Sequence, residues 1–257
     1  MFYTRKCGEI EESDFGSEQT LCGWLQDTRN LGGIAFLQLR DITGVIQLTL
    51  LKKKLGDENF KSWANINRES IILVRGIVKE NKEAPGGVEM LPDNIELMNE
   101  AETPLPLGVI DKIDSEIETR LNARYLDLRK TEIAANFQIR AAISGAVHKH
   151  LRRENFLEVQ TPKIIASATE GGTSLFEMKY FDKTAYLAQS PQLYKQMLMS
   201  GGLERVYEVG PAFRAEEHNT PRHLNEFISI DIEMSFADDD VVMGVMERLV
   251  ATIARAV

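Results

Sequence analysis

Residues 213–227 read FRAEEHNTPRHLNEF and hold two Arg, three Glu and two His between a pair of phenylalanines. Few ligands call for that mixture. An aromatic face can stack on a planar base, a carboxylate can accept from an exocyclic amine, and a guanidinium can fork onto a phosphate. Arg214 and Glu216 are two apart and share a face if their segment is extended. Phe227 opens FISIDIEMSF (227–236), which alternates strictly. Ile228, Ile230, Ile232, Met234 and Phe236 are predicted to face a core, and Phe227, Ser229, Asp231, Glu233 and Ser235 to face the other way. A ring on the polar face, beside carboxylates, suggests a platform for a flat ligand. His218, Arg222 and His223 fall in the connection and reach the rim. A hairpin laced with surface ion pairs would carry any two of these residues equally well. The whole set together favours a nucleotide with its phosphates.

A second set lies in SPQLYKQMLMSGG (190–202). Ser190 reads as N-cap, Pro191 as the first helical residue, and Gly201 or Gly202 as the stop. Gln192 and Lys195 are three apart on one face, with Tyr194, Met197 and Leu198 as the apolar side. Lys195 could meet a ligand carboxylate, although a lysine on a helix edge is more often solvated. ATEGGTS (168–174) is a glycine-containing loop carrying Glu170, which by itself signals only a turn. His148 and His150 point to different sides of a helix and make a poor metal pair. Cys7 and Cys22 lack both a disulfide framework and metal-ligand spacing.

These side chains need elements to hold them, and 257 residues suffice for two domains with separate cores. Hydrophobic residues at 43% and charged residues at 27% are ordinary for a globular cytosolic protein, and no apolar run is long enough to span a bilayer. The net charge of −9 argues against broad electrostatic binding of nucleic acid but leaves room for a local basic groove. Over 20–98, CGWLQ, IAFLQLRD and VIQLTLL read as strands, a helical stretch DENFKSWANINRES follows, and IILVRGIVKE and VEMLPDNIELMN close the series. Five strands with a helix after the third is the order of an OB-fold barrel, which binds single strands by stacking and base-edge contacts. Arg29, Phe36 and Gln47 are candidates for that face. Residues 101–130 read as a connector with two prolines. From 131 the pattern turns α/β: a helix with Ile133, Phe137, Ala141, Ser144, Val147 and Leu151 on one face, a strand FLEVQTP stopped at Pro162, a hairpin turning near Asp182, and a last helix over DDDVVMGVMERLVATIARAV.

Residues 213–227 resemble motif 2 of the class II aminoacyl-tRNA synthetases, and NFLEVQTPKI resembles their motif 1. RYLDLR, TEGGTSLF and SPQLYKQ are similar to the aspartyl branch of subclass b in its archaeal form. The resemblance runs through essentially the whole chain. It implies an α+β, multidomain protein: an OB-fold anticodon-binding barrel (1–100), a connector or hinge (101–130), and part of the class II antiparallel-sheet catalytic domain (131–257), carrying motifs 1 and 2 and ending before motif 3.

The same resemblance implies an aspartate–tRNA ligase that uses ATP with Mg2+, charges tRNA-Asp and, if selection is relaxed, tRNA-Asn, and works as a cytoplasmic homodimer with no membrane association. Arg214 would bridge the α-phosphate and the amino-acid carboxylate. Glu216 would read the adenine amine, Phe227 would stack on the ring, and Arg222, His223 and Leu224 would hold the distal phosphates. Glu170, Gln192, Ser229 and Asp231 would surround the substrate, and Lys195 would pair with its side-chain carboxylate. No metal ligand is expected within this chain. Gln26 and Pro85 stand where strict relatives carry an aromatic and a lysine, which leans towards relaxed tRNA choice. A tRNA-binding fragment without catalysis, an asparaginyl enzyme and an aspartate-amidating paralogue are the competing expectations.

Overall fold

The computed structural model describes residues 2–110, 115–166, 175–218, 220 and 223–257. The chain divides into two compact units, Met1–Ile133 and Ala134–Val257.

The first unit is a closed five-stranded barrel in the order β1-β2-β3-β5-β4. Its strands are β1 (Glu18–Asn30), β2 (Ile34–Arg40), β3 (Val45–Leu51), β4 (Ile71–Glu80) and β5 (Val88–Asn99), with α1 (Lys52–Leu55) and α2 (Asp57–Ala64) between β3 and β4. Alternation decides what lies inside. Leu37, Leu39, Ile46, Leu48 and Leu50 are almost wholly buried, with Leu21, Leu25, Val74 and Met90 beside them. Each such side chain contributes about 1.5–3 kcal/mol on burial. The residues between them, Phe36, Gln38, Gln47 and Thr49, therefore share the outer face, and the β2–β3 register sets Gln38 opposite Gln47 and Phe36 opposite Thr49. β1 is longer than CGWLQ foretells because it curves round to pair with both β2 and β4.

The connector folds with the barrel unit. α3 (Ile117–Asn122) and α4 (Arg124–Asp127) bring Arg120 and Arg124 onto the fully buried Asp127, and Arg129 reaches Glu69 at 2.9 Å while standing over the Trp24 ring.

The second unit is built on α5 (Thr131–Arg153), β6 (Leu157–Glu158), β7 (Ile164–Ile165), the hairpin β8 (Glu177–Tyr180) and β9 (Lys183–Leu187), α6 (Gln192–Ser200), β10 (Arg205–Phe213), β11 (Glu226–Met234) and α7 (Asp239–Ala256). One sheet runs β11-β10-β6 and another β7-β9-β8. Val147, Leu151, Phe156, Tyr207, Val245 and Leu249 form the core under the first sheet. Asp238 caps α7 by accepting from the Val241 amide at 3.0 Å, consistent with the acidic start seen in the sequence.

Four expectations need correction. The apolar stripe of α5 is buried only towards its C-terminal half: Val147 and Leu151 are in the core, while Phe137 and Ala141 are exposed, because the core cluster that the helix joins gathers around Ile143, Val147 and Leu151. In 227–236 only Ile232 and Met234 join the core. Ile228 and Ile230 are exposed because the core under the sheet gathers against Ile232 and Met234 and does not extend to the first half of β11, and Phe236 is 95% exposed, having left the strand in a left-handed turn at φ 55°. The strand at FLEVQTP is only Leu157–Glu158, paired parallel to β10. Finally, α6 begins at Gln192 with Pro191 as its cap residue; Ser190 Oγ accepts from the Gln192 amide at 3.3 Å.

Burial raises the Asp127 carboxyl, but hydrogen bonds and charge from Arg120, then Arg124, outweigh it and hold the group below the ordinary carboxylate range. A depressed folded value means that the stabilisation is present above the unfolded pKa of about 3.9 and is lost as pH falls through the folded value. Asp127→Asn should cost about 3 kcal/mol at neutral pH, since it leaves two guanidinia on a buried neutral group. Its unfolding free energy should also fall less steeply in acid than that of the parent chain, as checked by urea denaturation across the acid range.

Candidate functional site

The antiparallel pair β10–β11 fixes a single polar face. Its register sets Ala212 opposite Phe227, Gly210 opposite Ser229, Glu208 opposite Asp231 and Val206 opposite Glu233. With side chains alternating along each strand, Phe227, Ser229, Asp231 and Glu233 follow one another on one side, over the small residues Gly210 and Ala212. A Cβ at position 210 would lie 3.1 Å from Glu208 Oε1, so glycine there keeps the floor low. Glu208 is itself buried and accepts from the Thr161 amide (3.1 Å), Thr161 Oγ1 (2.7 Å) and Lys163 Nζ (2.8 Å). It clips the segment after β6 to the sheet.

One end of this face is a charge cluster. Lys195 is 2% exposed, and its ammonium lies 3.5 Å from Asp231 Oδ1, 3.4 Å from Glu233 Oε2 and 3.2 Å from the Ile232 carbonyl. Gln192 Nε2 donates to Glu233 at 3.2 Å. α6 therefore turns its lysine inward; of the apolar side predicted from its sequence, Tyr194 and Leu198 are half-buried while Met197 is exposed, as is Leu193. An ammonium among two carboxylates and a carbonyl is paid for by those partners, whereas an unpaired one would not survive burial. Lys195 thus has counter-charges of its own, and its burial does not by itself require a ligand carboxylate.

The other end carries Arg214 and Phe227. The guanidinium stands 5.4 Å from the ring centroid, a cation–π distance. Arg214 Nε is buried, and among the described residues it has no hydrogen-bond partner, so it is a donor that an anionic oxygen would satisfy. The Arg214 amide donates to Asn225 O at 2.9 Å and the Glu216 amide to Arg214 O at 2.8 Å, which hold Glu216 beside it. His223 and Leu224 are exposed; His223 Nδ1 is 2.6 Å from Thr220 Oγ1 and its ring 5.3 Å from His218. Glu170 and Arg222 lie outside the described residues. From Phe227 to Asp231 the strand advances roughly 13 Å, so the two ends suit two ends of one extended ligand.

The barrel has a cleft of about 390 Å³ on its outer face. Arg29, Phe36, Gln47 and Pro85, singled out separately in the sequence, all line it, together with Gln38 and Asn81. Gln26 sits behind it, donating to Gln38 Oε1 at 3.2 Å. Glu89, buried on β5, accepts from Thr49 (2.6 Å), Asn81 (2.9 Å) and Gln47 (3.2 Å) and meets Lys79 at 2.9 Å. Burial raises the Glu89 carboxyl, yet the hydrogen bonds from Thr49, Lys79 and Asn81 prevail and hold it below the ordinary range.

Sequence reading missed Glu208, Glu233 and Glu89. The alternation that placed Asp231 on the polar face also placed Glu233 there, so that residue could have been found. Glu208 and Glu89 are recognisable only from partners that lie far off in the chain.

Residues 116–257 match the family of tRNA synthetases class II (D, K and N), and residues 19–98 match an OB-fold nucleic acid binding domain. The chain belongs to the class II tRNA synthetases. A Methanopyrus kandleri protein named aspartate–tRNA(Asp/Asn) ligase is 56% identical over 94% of this chain and 56% of its own length. A Thermococcus kodakarensis protein named aspartate–tRNA(Asp) ligase is 50% identical over 98% of this chain and 58% of its own. The crystal structure of an asparaginyl-tRNA synthetase from Pyrococcus horikoshii complexed with asparaginyl-adenylate superposes with a TM-score of 0.93 at 33% identity, covering 100% of this chain and 58% of that one. An aspartyl-tRNA synthetase from Entamoeba histolytica gives 0.79 at 31% identity, over 94% and 52%. This synthetase chain thus spans a little over half the length of the relatives it matches.

Among the described residues no group of three or more His, Cys, Asp or Glu side chains could hold a metal ion, and no helix is long and apolar enough to cross a membrane.

Lys195→Met leaves Asp231 and Glu233 facing each other without their cation. The variant should lose about 3 kcal/mol of stability at neutral pH, and thermal unfolding beside the parent chain checks this.

Proposed function

We propose that the chain activates L-aspartate with ATP and passes it to tRNA-Asp, with tRNA-Asn as a second acceptor. The observation that carries the reading is the sequence of charges along one face of β11. Aspartate has one ammonium and two carboxylates. Asp231 and Glu233 offer counter-charge to the ammonium, Lys195 to the side-chain carboxylate, and Arg214 to the α-carboxylate, beyond which Phe227 offers its ring to adenine. An oxygen of the α-carboxylate attacks the α-phosphorus of ATP, the bond to the bridging oxygen breaks, and pyrophosphate leaves. The terminal ribose hydroxyl of the tRNA then attacks the activated carbonyl and AMP departs. The chain's part in this is alignment and charge stabilisation: Arg214, with its unmatched Nε, neutralises oxygen charge developing at the α-phosphate, and Glu216 accepts from the adenine amine. His223 and Leu224, with Arg222, would meet the distal phosphates, and Glu170 with Ser229 the amino acid. Magnesium would enter bound to the ATP phosphates and offset their charge.

Aspartate is preferred over asparagine because an asparagine amide would place a dipole where Lys195 can neutralise a full charge. The outer cleft of the barrel, with Phe36, Arg29 and Gln47, would take the anticodon. tRNA-Asn is included because the Methanopyrus relative is named for both tRNAs and because Pro85, rather than a lysine, lines the cleft with Gln26 behind it. Pairing of two copies is supported by exposed apolar side chains at Ile139, Leu157 and Ile164.

The test is ATP–pyrophosphate exchange on this chain with aspartate, asparagine and lysine in parallel. Exchange with aspartate alone is expected, reduced at least a hundredfold by Arg214→Ala and with aspartate selectivity lost in Lys195→Met. Exchange with asparagine in preference would overturn the substrate assignment. Binding of tRNA with no exchange would instead favour a tRNA-binding role without chemistry.

A further inference from the structure

Two glutamines face each other across β2 and β3 in the barrel cleft, Gln38 and Gln47, and each is tied at one end to a buried charge. An amide can turn either way round at little cost unless a neighbour decides. Behind Gln47 lies the Glu89 carboxylate, which is 3% exposed and, when ionised, can only accept. Gln47 must therefore turn its Nε2 inward, at 3.2 Å from Glu89 Oε2, and its Oε1 accepts from no other described residue. Behind Gln38 the order is reversed. Arg40, locked onto Glu69 by two bonds of 3.0 and 2.8 Å, donates to Gln26 Oε1 at 3.3 Å. Gln26 then has only its Nε2 to offer, and gives it to Gln38 Oε1 at 3.2 Å. What remains of Gln38 is its own Nε2.

We infer that buried Glu89 and the Arg40–Gln26 relay are positioning residues that set a fixed donor, Gln38 Nε2, beside a fixed acceptor, Gln47 Oε1, so that the cleft sorts RNA bases by the polarity of their pairing edge. Guanine and uracil present an exocyclic acceptor next to a ring N–H; adenine and cytosine present an exocyclic donor next to a ring acceptor. A base seated on Phe36, about 7 Å along β2 from Gln38, and held one way round by its backbone would meet the pair with one class matched and the other opposed at both atoms. The role of Gln26 is then to transmit a charge, without touching the RNA. The depressed ionisation of Glu89 is consistent with its serving as an acceptor at neutral pH. The inference rests on the barrel's proposed RNA-reading role.

Its test uses the chain as it stands with synthetic RNA stem-loops that differ at one central loop base, G, U, A or C, varied at each central position in turn and followed by fluorescence anisotropy. At one position the parent chain should separate the two base classes by about tenfold or more. Glu89→Gln lets Gln47 turn over, and Gln26→Met cuts the relay behind Gln38; each should bring that ratio to within about threefold of one while the stem-loop of the preferred class still binds. Phe36→Ala should instead weaken all four stem-loops together. If both variants bind with the parent ratio intact, or lose all four RNAs in equal measure, the positioning role is overturned and the barrel's RNA-reading role stands. If the parent chain binds no stem-loop, that role falls, and the inference with it.

Discussion

An ammonium withdrawn from water between two carboxylates constrains the second unit more than any apolar contact in it. Lys195 can stay buried only while Asp231, Glu233 and the Ile232 carbonyl are within reach, and those three groups stand on consecutive stretches of β11. The cluster therefore sets the rotation of α6 about its axis, sending Met197 and Leu193 to solvent against their hydrophobicity. It also fixes which face of β11 is polar, and the register with β10 carries that choice down to Gly210 and Ala212. A purely apolar contact would tolerate a shift of register more readily, because hydrophobic burial has no preferred partner; a buried charge does not.

The barrel solves a related problem with different parts. Its interior is a conventional apolar core, but the outer face is organised by the buried pair Arg40 with Glu69 and by the buried Glu89 carboxylate, whose partner Lys79 is half exposed. Neither cluster is there for strength alone, since replacing a buried pair by well-packed apolar groups is often neutral. Their geometric effect is plainer. Glu69 holds a left-handed backbone at φ 67° and receives both Arg40 and Arg129, which ties the connector to the barrel wall that carries Gln26. Charges inside thus decide the direction of neutral amides outside.

How much of this could be read from the chain depends on the range of the interactions involved. IILVRGIVKE and VEMLPDNIELMN match β4 and β5 residue for residue, VIQLTLL matches β3, and IAFLQLRD overruns β2 by one residue, because alternation over a one-sided barrel wall is a local signal. The same alternation misled at Ile228, Ile230 and Phe236, since it tells which residues share a face but not whether anything covers that face. Phe137 on α5 was likewise legible as a position on a face, and it is half exposed. At the site, Arg214 with Phe227 and Gln192 with Lys195 were legible as pairs. The contact of Lys195 with Glu233, between residues on separate elements, was not, and neither was the convergence of Arg29, Phe36, Gln47 and Pro85 on one cleft, because each depends on strand register.

The two units therefore share a way of making polar groups specific. In each, a charge is placed first, where apolar neighbours keep water away, and the groups exposed to a ligand are oriented by it: Gln192 by Glu233 in one, Gln38 and Gln47 by Arg40 and Glu89 in the other. A surface glutamine samples both amide orientations and discriminates little between a donor and an acceptor. Tied to a buried ion it has one orientation, and a mismatched ligand then leaves a polar atom unsatisfied, which costs about 1–3 kcal/mol. Selectivity of this kind is stored in residues that never touch the ligand, so substitutions at Glu89 or Gln26 act on recognition while leaving the contact surface itself unchanged.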